Sequence, residues 1–168
     1  MATITLGGNA IHTIGNLPAV GSKAPGFKLT DGKLSDIGLD SFAGKKKILN
    51  IVPSLDTGVC AASARRFNVE ASNLKDTEVI IIAADLPFAQ SRFCESEGLK
   101  NAIHLSTMRS PSFGKDYGVL IVDGPLAGLM SRAVIVLNAE NKVVYAEQVK
   151  EIKTEPDYAS ALKALKSI

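Results

Sequence analysis

The alternation of apolar and polar residues predicts an N-terminal hairpin and two buried strands. Thr3–Leu6 and Ala10–Thr13 flank the turn sequence Gly7-Gly8-Asn9, a pattern typical of a β-hairpin. Lys47–Val52 and Val79–Ala84 are nearly continuous apolar runs, as expected for strands buried on both faces. Further short strands are predicted at Phe27–Thr30, Leu34–Ile37, Ile103–Thr107, Ala133–Leu137 and Val143–Val149, the last two as a hairpin joined by Asn138–Lys142.

A helical pattern follows the first buried strand, from about Val59 to Leu74. Its apolar positions recur at steps of four and three, which places them on one helix face: Cys60, Ala64, Phe67, Ala71 and Leu74. This segment therefore predicts an amphipathic helix that packs against the sheet.

The second buried strand is also followed by a helical segment. Asp85 is a suitable N-cap, Pro87 falls in the first turn, and Gly98 follows the last helical residue, Glu97. A short helix is predicted at Pro111–Tyr117. A last helix is predicted to open at Thr154–Asp157 in the manner of a capping box, with Tyr158, Leu162 and Leu165 as its apolar stripe.

The predicted order β–α–β–α–(β)–α–β–β–α combines crossover units with a terminal hairpin. It indicates the α/β class, with a mixed central sheet and helices on both faces, the arrangement of a thioredoxin-like fold. Repeats, low-complexity segments and linkers are absent from the sequence. We therefore expect a single domain over residues 1–168, with residues 1–15 as an N-terminal hairpin extension.

Composition narrows the classes of function. The chain of 168 residues is 46% hydrophobic and 21% charged, as in a globular protein with a sizeable core. A formal charge of +2 is too small to indicate a nucleic-acid or anionic-membrane partner. Neither a secretory signal nor an apolar run long enough to span a membrane is present, so the expected compartment is the cytoplasm. The two cysteines and two histidines are scattered without ligand-pair spacing, so we expect no metal site.

The segment from Pro53 to Cys60 carries the strongest chemical signal. It lies between a buried strand and an amphipathic helix, so Cys60 falls in the first helical turn, where the helix dipole favours the reactive thiolate. Thr57 lies three residues earlier and can direct its hydroxyl at the sulfur or at a bound oxygen. Pro53 has no N–H to donate and a rigid ring, which suits it to shield the sulfur from water.

A structural role for Cys60 is the alternative. A lone cysteine in phase with an apolar stripe is usually a small buried hydrophobe. Taken singly, Pro53 is only a strand stop and Thr57 only a candidate helix cap. Their joint spacing before the cysteine favours a functional site.

The spacing Pro-x-x-x-Thr-x-x-Cys resembles the active-site motif of the peroxiredoxins. The longer string Pro53–Ser63, with the sequence PSLDTGVCAAS, is similar to the thiol peroxidase (Tpx) subfamily. So are Ala84–Cys94, Asp123–Leu126, Ser131–Ala133 and Thr154–Tyr158, and the resemblance extends along essentially the whole chain.

This resemblance implies a role for each matched residue. Cys60 is the peroxidatic nucleophile, Thr57 orients the peroxide and Pro53 shields the pocket. Arg132, which precedes the strand Ala133–Leu137, matches the arginine that holds the thiolate and polarises the peroxide. A guanidinium that stays charged and offers several fixed donors suits that role, although an arginine in this position is otherwise typical of a strand edge at the surface.

Cys94 is the candidate resolving residue, because a sulfenic acid on Cys60 needs a thiol partner before further oxidation inactivates it. It lies beside the stripe Leu86–Ala89–Phe93, which predicts a partly exposed thiol; an incidental helix cysteine is the alternative. Cys94 is seven residues beyond Pro87, or ~10 Å along its helix. A disulfide needs Cα atoms within ~7 Å. We therefore expect the reduced sulfurs to be apart and a redox disulfide between Cys60 and Cys94 to require local unwinding.

Sequence features also bear on three rival functions. A general thiol–disulfide oxidoreductase is disfavoured, since Ser63 stands where a C-x-x-C partner of Cys60 would be. A redox sensor would use the same two cysteines, so it stays open as an added role. Nucleotide binding fails on the glycine spacing between Gly38 and Lys45. The resemblance further implies thioredoxin as reductant, a homodimer and a preference for alkyl hydroperoxides. We expect no cofactor.

Overall fold

The computed structural model describes residues 1–168, apart from the side chain of Ala71. Its strands are β1 (Thr3–Leu6), β2 (Asn9–His12), β3 (Lys28–Thr30), β4 (Asp36–Gly38), β5 (Lys46–Ile51), β6 (Thr77–Ala83), β7 (Ala102–Ser106), β8 (Ala133–Leu137) and β9 (Val143–Gln148). Its helices are α1 (Gly58–Ala71), α2 (Pro87–Glu97), α3 (Ser112–Asp116) and α4 (Tyr158–Lys166), with a 3₁₀ turn at Leu39–Phe42.

Seven strands form one mixed sheet in the order β4-β3-β7-β6-β5-β8-β9. β5, β6 and β7 are parallel, while β3 and β4 on one side and β8 and β9 on the other run antiparallel to their neighbours. The sheet arrangement predicted from the element order is confirmed. Because α1 follows β5 and α2 follows β6, both helices begin at the same edge of a parallel strand pair.

Both faces of the sheet are covered. α1 and α4 pack on one face through Phe67 and Leu165, against Ile48 and Val134. α3 and the 3₁₀ turn cover the other face, where Phe113 and Phe42 belong to the cluster around Leu49, Ile80 and Ile135. The strand residues therefore alternate between apolar clusters on the two faces, which explains why β8 is apolar throughout and β6 is apolar from Val79 to Ala83.

The N-terminal hairpin forms a separate two-stranded sheet. Gly7 (φ 59°) and Gly8 (φ 83°) occupy its turn in the left-handed region, where other residues are strained. Ile4 and Ile11 pack against Ile121 and Ile152, so the hairpin is held to the loops that precede β8 and follow β9.

Several predicted boundaries were wrong. The strand expected at Leu34–Ile37 is Asp36–Gly38, because Leu34 has a φ of 64° in the turn after β3. α1 ends three residues before Leu74, and the predicted burial of Ala71 concerns a side chain outside the described residues.

The predicted start of the last helix was also wrong. α4 is capped by Asp157, whose side chain accepts from the Ser160 N–H, rather than by a box opening at Thr154. The Thr154 hydroxyl instead donates to the carbonyl of Glu151 at 2.8 Å.

Candidate active site

The loop between β5 and α1 places Cys60 in the first turn of a helix, as predicted. Thr57 is the N-cap, with extended backbone angles (φ −94°, ψ 145°), and Cys60 is the third helical residue. Backbone N–H groups have no intrahelical acceptor at that position, and the helix dipole favours an anion there. The Thr57 hydroxyl is exposed and donates to the Ser54 carbonyl at 3.3 Å, which leaves its oxygen free to accept a hydrogen bond.

Arg132 contacts the sulfur of Cys60 directly. Its Nη1 donates to Cys60 Sγ at 3.1 Å, while its Nε donates to the carbonyl of Ile152 at 2.9 Å. The side chain is only 2% exposed, so it is not the surface strand-edge arginine that position alone suggests. Among the ion pairs of the described residues none involves Arg132. A buried guanidinium without a carboxylate is costly unless another anion is near, and the Cys60 thiolate can supply that charge.

A buried polar network supports the backbone of Cys60. The Ser63 hydroxyl donates to the Cys60 carbonyl at 3.0 Å and accepts from Asn50 Nδ2 at 3.2 Å. Asn50 and Ser63 are fully buried, the former on β5 and the latter on α1. The network thus fixes the first turn of the helix to the sheet beneath it.

Asp85 does not cap its own helix, contrary to the sequence prediction. α2 is preceded by Leu86, and its start has no side-chain cap. The Asp85 carboxylate instead accepts from the Ser54 hydroxyl and from the Leu55 N–H, both at 2.7 Å. These two donors lie in the loop before Cys60, so Asp85 braces that loop from the end of the neighbouring strand.

An apolar cavity of ≈ 330 Å³ lies at the start of α1. Pro53, Thr57 and Arg132, three of the residues singled out in the sequence, line it. Its other walls are largely aliphatic and come from four different segments of the chain: Leu6, Val59, Leu126, Leu129 and Ile152, with Lys153 also lining it. Cys60 is fully buried and is linked to the cavity through Arg132.

The hairpin contributes Leu6 to the cavity and is held there by Glu151. The Glu151 carboxylate accepts from the N–H groups of Gly7 and Gly8, both at 3.0 Å, and from the Thr5 hydroxyl at 2.8 Å. These hydrogen bonds lower the pKa of Glu151 to about 2, and the largest contributions come from the N–H groups of Gly8 and Gly7. The hairpin is therefore part of the cavity wall rather than a loose extension.

Cys94 is buried, so the prediction of a partly exposed thiol was wrong. It is 8% exposed and shares an apolar cluster with Cys60 and Ile81. Burial raises the pKa of its thiol to about 11. The buried face of α2 consists of Pro87, Gln90 and Cys94, one position away from the predicted stripe. Both cysteines are free thiols.

Comparison with known proteins agrees with this geometry. The redoxin family profile matches residues 19–162. The thiol peroxidase of Mycobacterium tuberculosis is 54% identical over 165 residues, which cover 98% of this chain and 99% of that protein. The chain belongs to the thiol peroxidases of the redoxin family.

Solved structures of such proteins have the same fold. A peroxiredoxin-like protein from Aquifex aeolicus superposes with a TM-score of 0.92 at 35% identity, covering 100% of this chain and 98% of that one. A thiol peroxidase from Chromobacterium violaceum superposes with a TM-score of 0.91 at 30% identity, covering 98% and 95%. As a thiol peroxidase, this protein is an enzyme that reduces peroxides by means of a thiol.

The described part of this thiol peroxidase has neither a metal-ligand cluster nor a helix that could span a membrane. No group of three or more His, Cys, Asp or Glu side chains suited to a metal ion occurs among the described residues. Within the same part of the chain, none of the helices is long and apolar enough to cross a membrane.

Sequence analysis missed Ser54, Asp85 and Glu151 in this thiol peroxidase. Asp85 and Glu151 bind segments that are remote in the sequence, and Ser54 binds Thr57 across a turn. Local sequence patterns therefore give little indication of these hydrogen bonds. Ser54 and Asp85 do lie inside the strings that carry the family resemblance, which is the one signal that could have drawn attention to them.

Proposed function

We propose that Cys60 is the peroxidatic nucleophile of this enzyme and that Cys94 resolves the oxidised form as an intramolecular disulfide. The observation that carries the proposal is the 3.1 Å contact between Arg132 Nη1 and Cys60 Sγ at the start of a helix. A buried cation and a helix N-terminus both favour a thiolate at this sulfur.

The first step is attack of the Cys60 thiolate on one oxygen of the peroxide. A sulfur–oxygen bond forms, the O–O bond breaks, and the leaving alkoxide takes up a proton as an alcohol. The sulfur is oxidised to sulfenic acid while the peroxide is reduced. Arg132 polarises the O–O bond, and Thr57, whose hydroxyl oxygen has a free acceptor site, orients the protonated end of the peroxide. Pro53 excludes water from the same wall.

The cavity favours organic hydroperoxides over hydrogen peroxide. Its leucine and isoleucine walls gain from contact with an alkyl chain, whereas they offer little to a small polar molecule. The volume of ≈ 330 Å³ limits the group that can be enclosed to a small or medium alkyl or aryl substituent.

The second step is attack of Cys94 on the sulfenic sulfur of Cys60, with release of water. Both thiols are buried in one apolar cluster, one in the first turn of α1 and the other in the last turn of α2. We expect bond formation to require the first turn of α1 or part of α2 to unwind, because Cys94 lies ~10 Å along its helix from Pro87 and a disulfide needs Cα atoms within ~7 Å. Thioredoxin then reduces the disulfide and restores both thiols. We further propose that the chain acts as a single domain, in the cytoplasm and as a homodimer, in keeping with its family.

A pair of serine variants tests this mechanism. Cys60→Ser should abolish peroxidase activity, since a neutral hydroxyl cannot replace the thiolate. Cys94→Ser should retain the first turnover but lose recycling by thioredoxin, with sulfenic or sulfinic acid accumulating on Cys60. Peroxidase activity is measured as NADPH oxidation in an assay coupled through thioredoxin and thioredoxin reductase. The oxidation state of Cys60 is measured by intact mass. Full activity of Cys60→Ser, or unchanged steady-state turnover of Cys94→Ser, would contradict the respective assignment.

A further inference from the structure

A second groove, separate from the peroxide cavity, gives access to Cys94. It has a volume of ≈ 380 Å³ and lies between the flank of α2 and β7, where Cys94, Ser91 and His104 line it. His104 and Ser91 also line an adjoining groove of ≈ 340 Å³ near Gly32. The imidazole therefore lines a groove that reaches the candidate resolving thiol.

The tautomer of the neutral His104 ring is set by Gln90. The amide nitrogen of Gln90 donates to the carbonyls of Ala83 and Leu105 at 3.4 and 3.2 Å. These two acceptors fix the orientation of the amide, so its oxygen points to His104 Nδ1 at 3.3 Å. The neutral ring must consequently carry its proton on Nδ1, which leaves the lone pair of Nε2 free.

The Nε2 edge of the ring lies beside Gly32, in the groove that adjoins the one lined by Cys94. A Cβ placed on Gly32 would lie 2.9 Å from His104 Cε1, 3.4 Å from His104 Nε2 and 2.6 Å from Ser91 Oγ, so this edge stays accessible because Gly32 has no side chain. Burial lowers the pKa of His104, which holds the ring neutral and able to accept a proton at neutral pH.

We infer that His104 is the proton acceptor for the Cys94 thiol in the resolving step, acting through water in the groove that both residues line. This inference rests on the proposed role of Cys94. The thiol proton passes to Nε2 while α2 is still folded and the groove is intact. The Cys94 thiolate then attacks the sulfenic sulfur of Cys60 as the helix segments open, and the S–O bond breaks. The departing hydroxide takes the proton back from the imidazolium, so the products are one disulfide, one water and neutral His104.

The Cys94 thiol needs a proton acceptor in order to react at neutral pH. The buried Cys94 has a thiol pKa of about 11, so the thiolate is scarce at neutral pH without a base. Four charged groups border the two grooves, namely Glu95 and Lys100 beside Cys94, and Asp31 and Lys33 beside His104. Asp31 raises the pKa of His104 but by less than burial lowers it.

The test compares wild type with His104→Gln, and with His12→Gln as a control at the other histidine, which is bonded to Asp123. The chain has no tryptophan, so rapid quench with thiol alkylation and intact mass is used to follow sulfenic acid and disulfide. Oxidation of Cys60 should be unchanged in both variants. Disulfide formation at pH 7 should slow about 10- to 100-fold in His104→Gln only.

The pH profile separates a proton acceptor from a structural residue. In wild type the rate of disulfide formation should rise with a midpoint below 6.5, the ordinary pKa of histidine. In His104→Gln that midpoint should vanish, and the rate should keep rising toward the thiol pKa of about 11. Imidazole added to His104→Ala should restore the rate at pH 7, which it could not do for a lost packing contact.

Two results would overturn the inference in different ways. An equal rate and pH profile in wild type and His104→Gln, with the disulfide formed in both, would exclude His104 as the acceptor and leave the role of Cys94 intact. Absence of any Cys60–Cys94 disulfide in oxidised wild type would instead refute the proposed resolving step on which the inference rests.

Discussion

The carboxylate of Asp85 accepts a 2.7 Å hydrogen bond from the hydroxyl of Ser54 and so ties the start of the Cys94 helix to the loop that precedes Cys60. The same carboxylate accepts from the Leu55 N–H, also at 2.7 Å. Ser54 in turn accepts from Thr57 through its carbonyl. The two segments expected to rearrange for disulfide formation are therefore joined by a single side chain.

Replacement of Asp85 should weaken both segments. Asp85→Ala removes two hydrogen bonds to a charged acceptor and leaves the Leu55 N–H unpaired, which should lower the free energy of unfolding by about 2–4 kcal/mol. Oxidation of Cys60 should also slow, because Thr57 loses its fixed position. Urea unfolding and single-turnover peroxide reduction measure the two effects. Asp56→Ala, at an exposed carboxylate of the same loop, is the control. Equal stability of the two variants would contradict the bracing role.

The contact between Arg132 and Cys60 should set the pH range in which the thiol reacts. Arg132→Ala removes the cation that favours the thiolate, so the midpoint for alkylation of Cys60 should move to higher pH. Iodoacetamide labelling followed by peptide mass mapping measures it. Arg65→Ala is a matched control, since Arg65 lies on the same helix as Cys60 but pairs with Glu97 at the surface. An unchanged profile in Arg132→Ala would contradict the proposed electrostatics.

Local patterns predicted the position of Cys60 and the sheet correctly, and failed where distant partners decide. The spacing from Pro53 to Cys60 contains its own strand stop and helix start, so the first-turn position follows from sequence alone. The role of Asp85 could not be predicted in this way, because its partners lie about thirty residues earlier in the chain.

The face of α2 was misjudged for a related reason. Leu86 and Phe88 are 54% and 65% exposed, although their hydrophobicity favours burial. Gln90 is fully buried instead, since carbonyls of Ala83 and Leu105 satisfy its amide. These carbonyls come within reach of Gln90 only because the helix packs on the sheet. The sequence pattern of the helix itself therefore cannot predict that Gln90 is buried.

Glu151 should make the stability of the hairpin depend on pH. Its pKa is about 2 in the folded protein, below the ordinary 4.5, so its contribution is present above pH 4.5 and is lost as the pH falls toward 2. Glu151→Gln should therefore have a lower melting temperature than wild type at pH 7. That difference should shrink between pH 4.5 and pH 2. Circular dichroism melts measure it, with Glu140→Gln as an exposed control. A difference that stays constant with pH would contradict this linkage.

Closure of the Cys60–Cys94 bond should cost helix structure that the reduced enzyme keeps. The first turn of α1 must be folded for the Cys60 thiolate to contact Arg132. Cys94 lies on a different helix, α2, so the disulfide requires one of these segments to open. Both demands can be met only if these segments have a small free-energy gap between folded and opened forms. Amide hydrogen exchange over residues 58–64 and 87–98 should be slow in the reduced enzyme and at least about 10-fold faster in the disulfide form. Exchange in β5 and β6 should change little, because these strands lie at the centre of the sheet. Equal protection of the two helices in both redox states would show that the bond forms without unwinding.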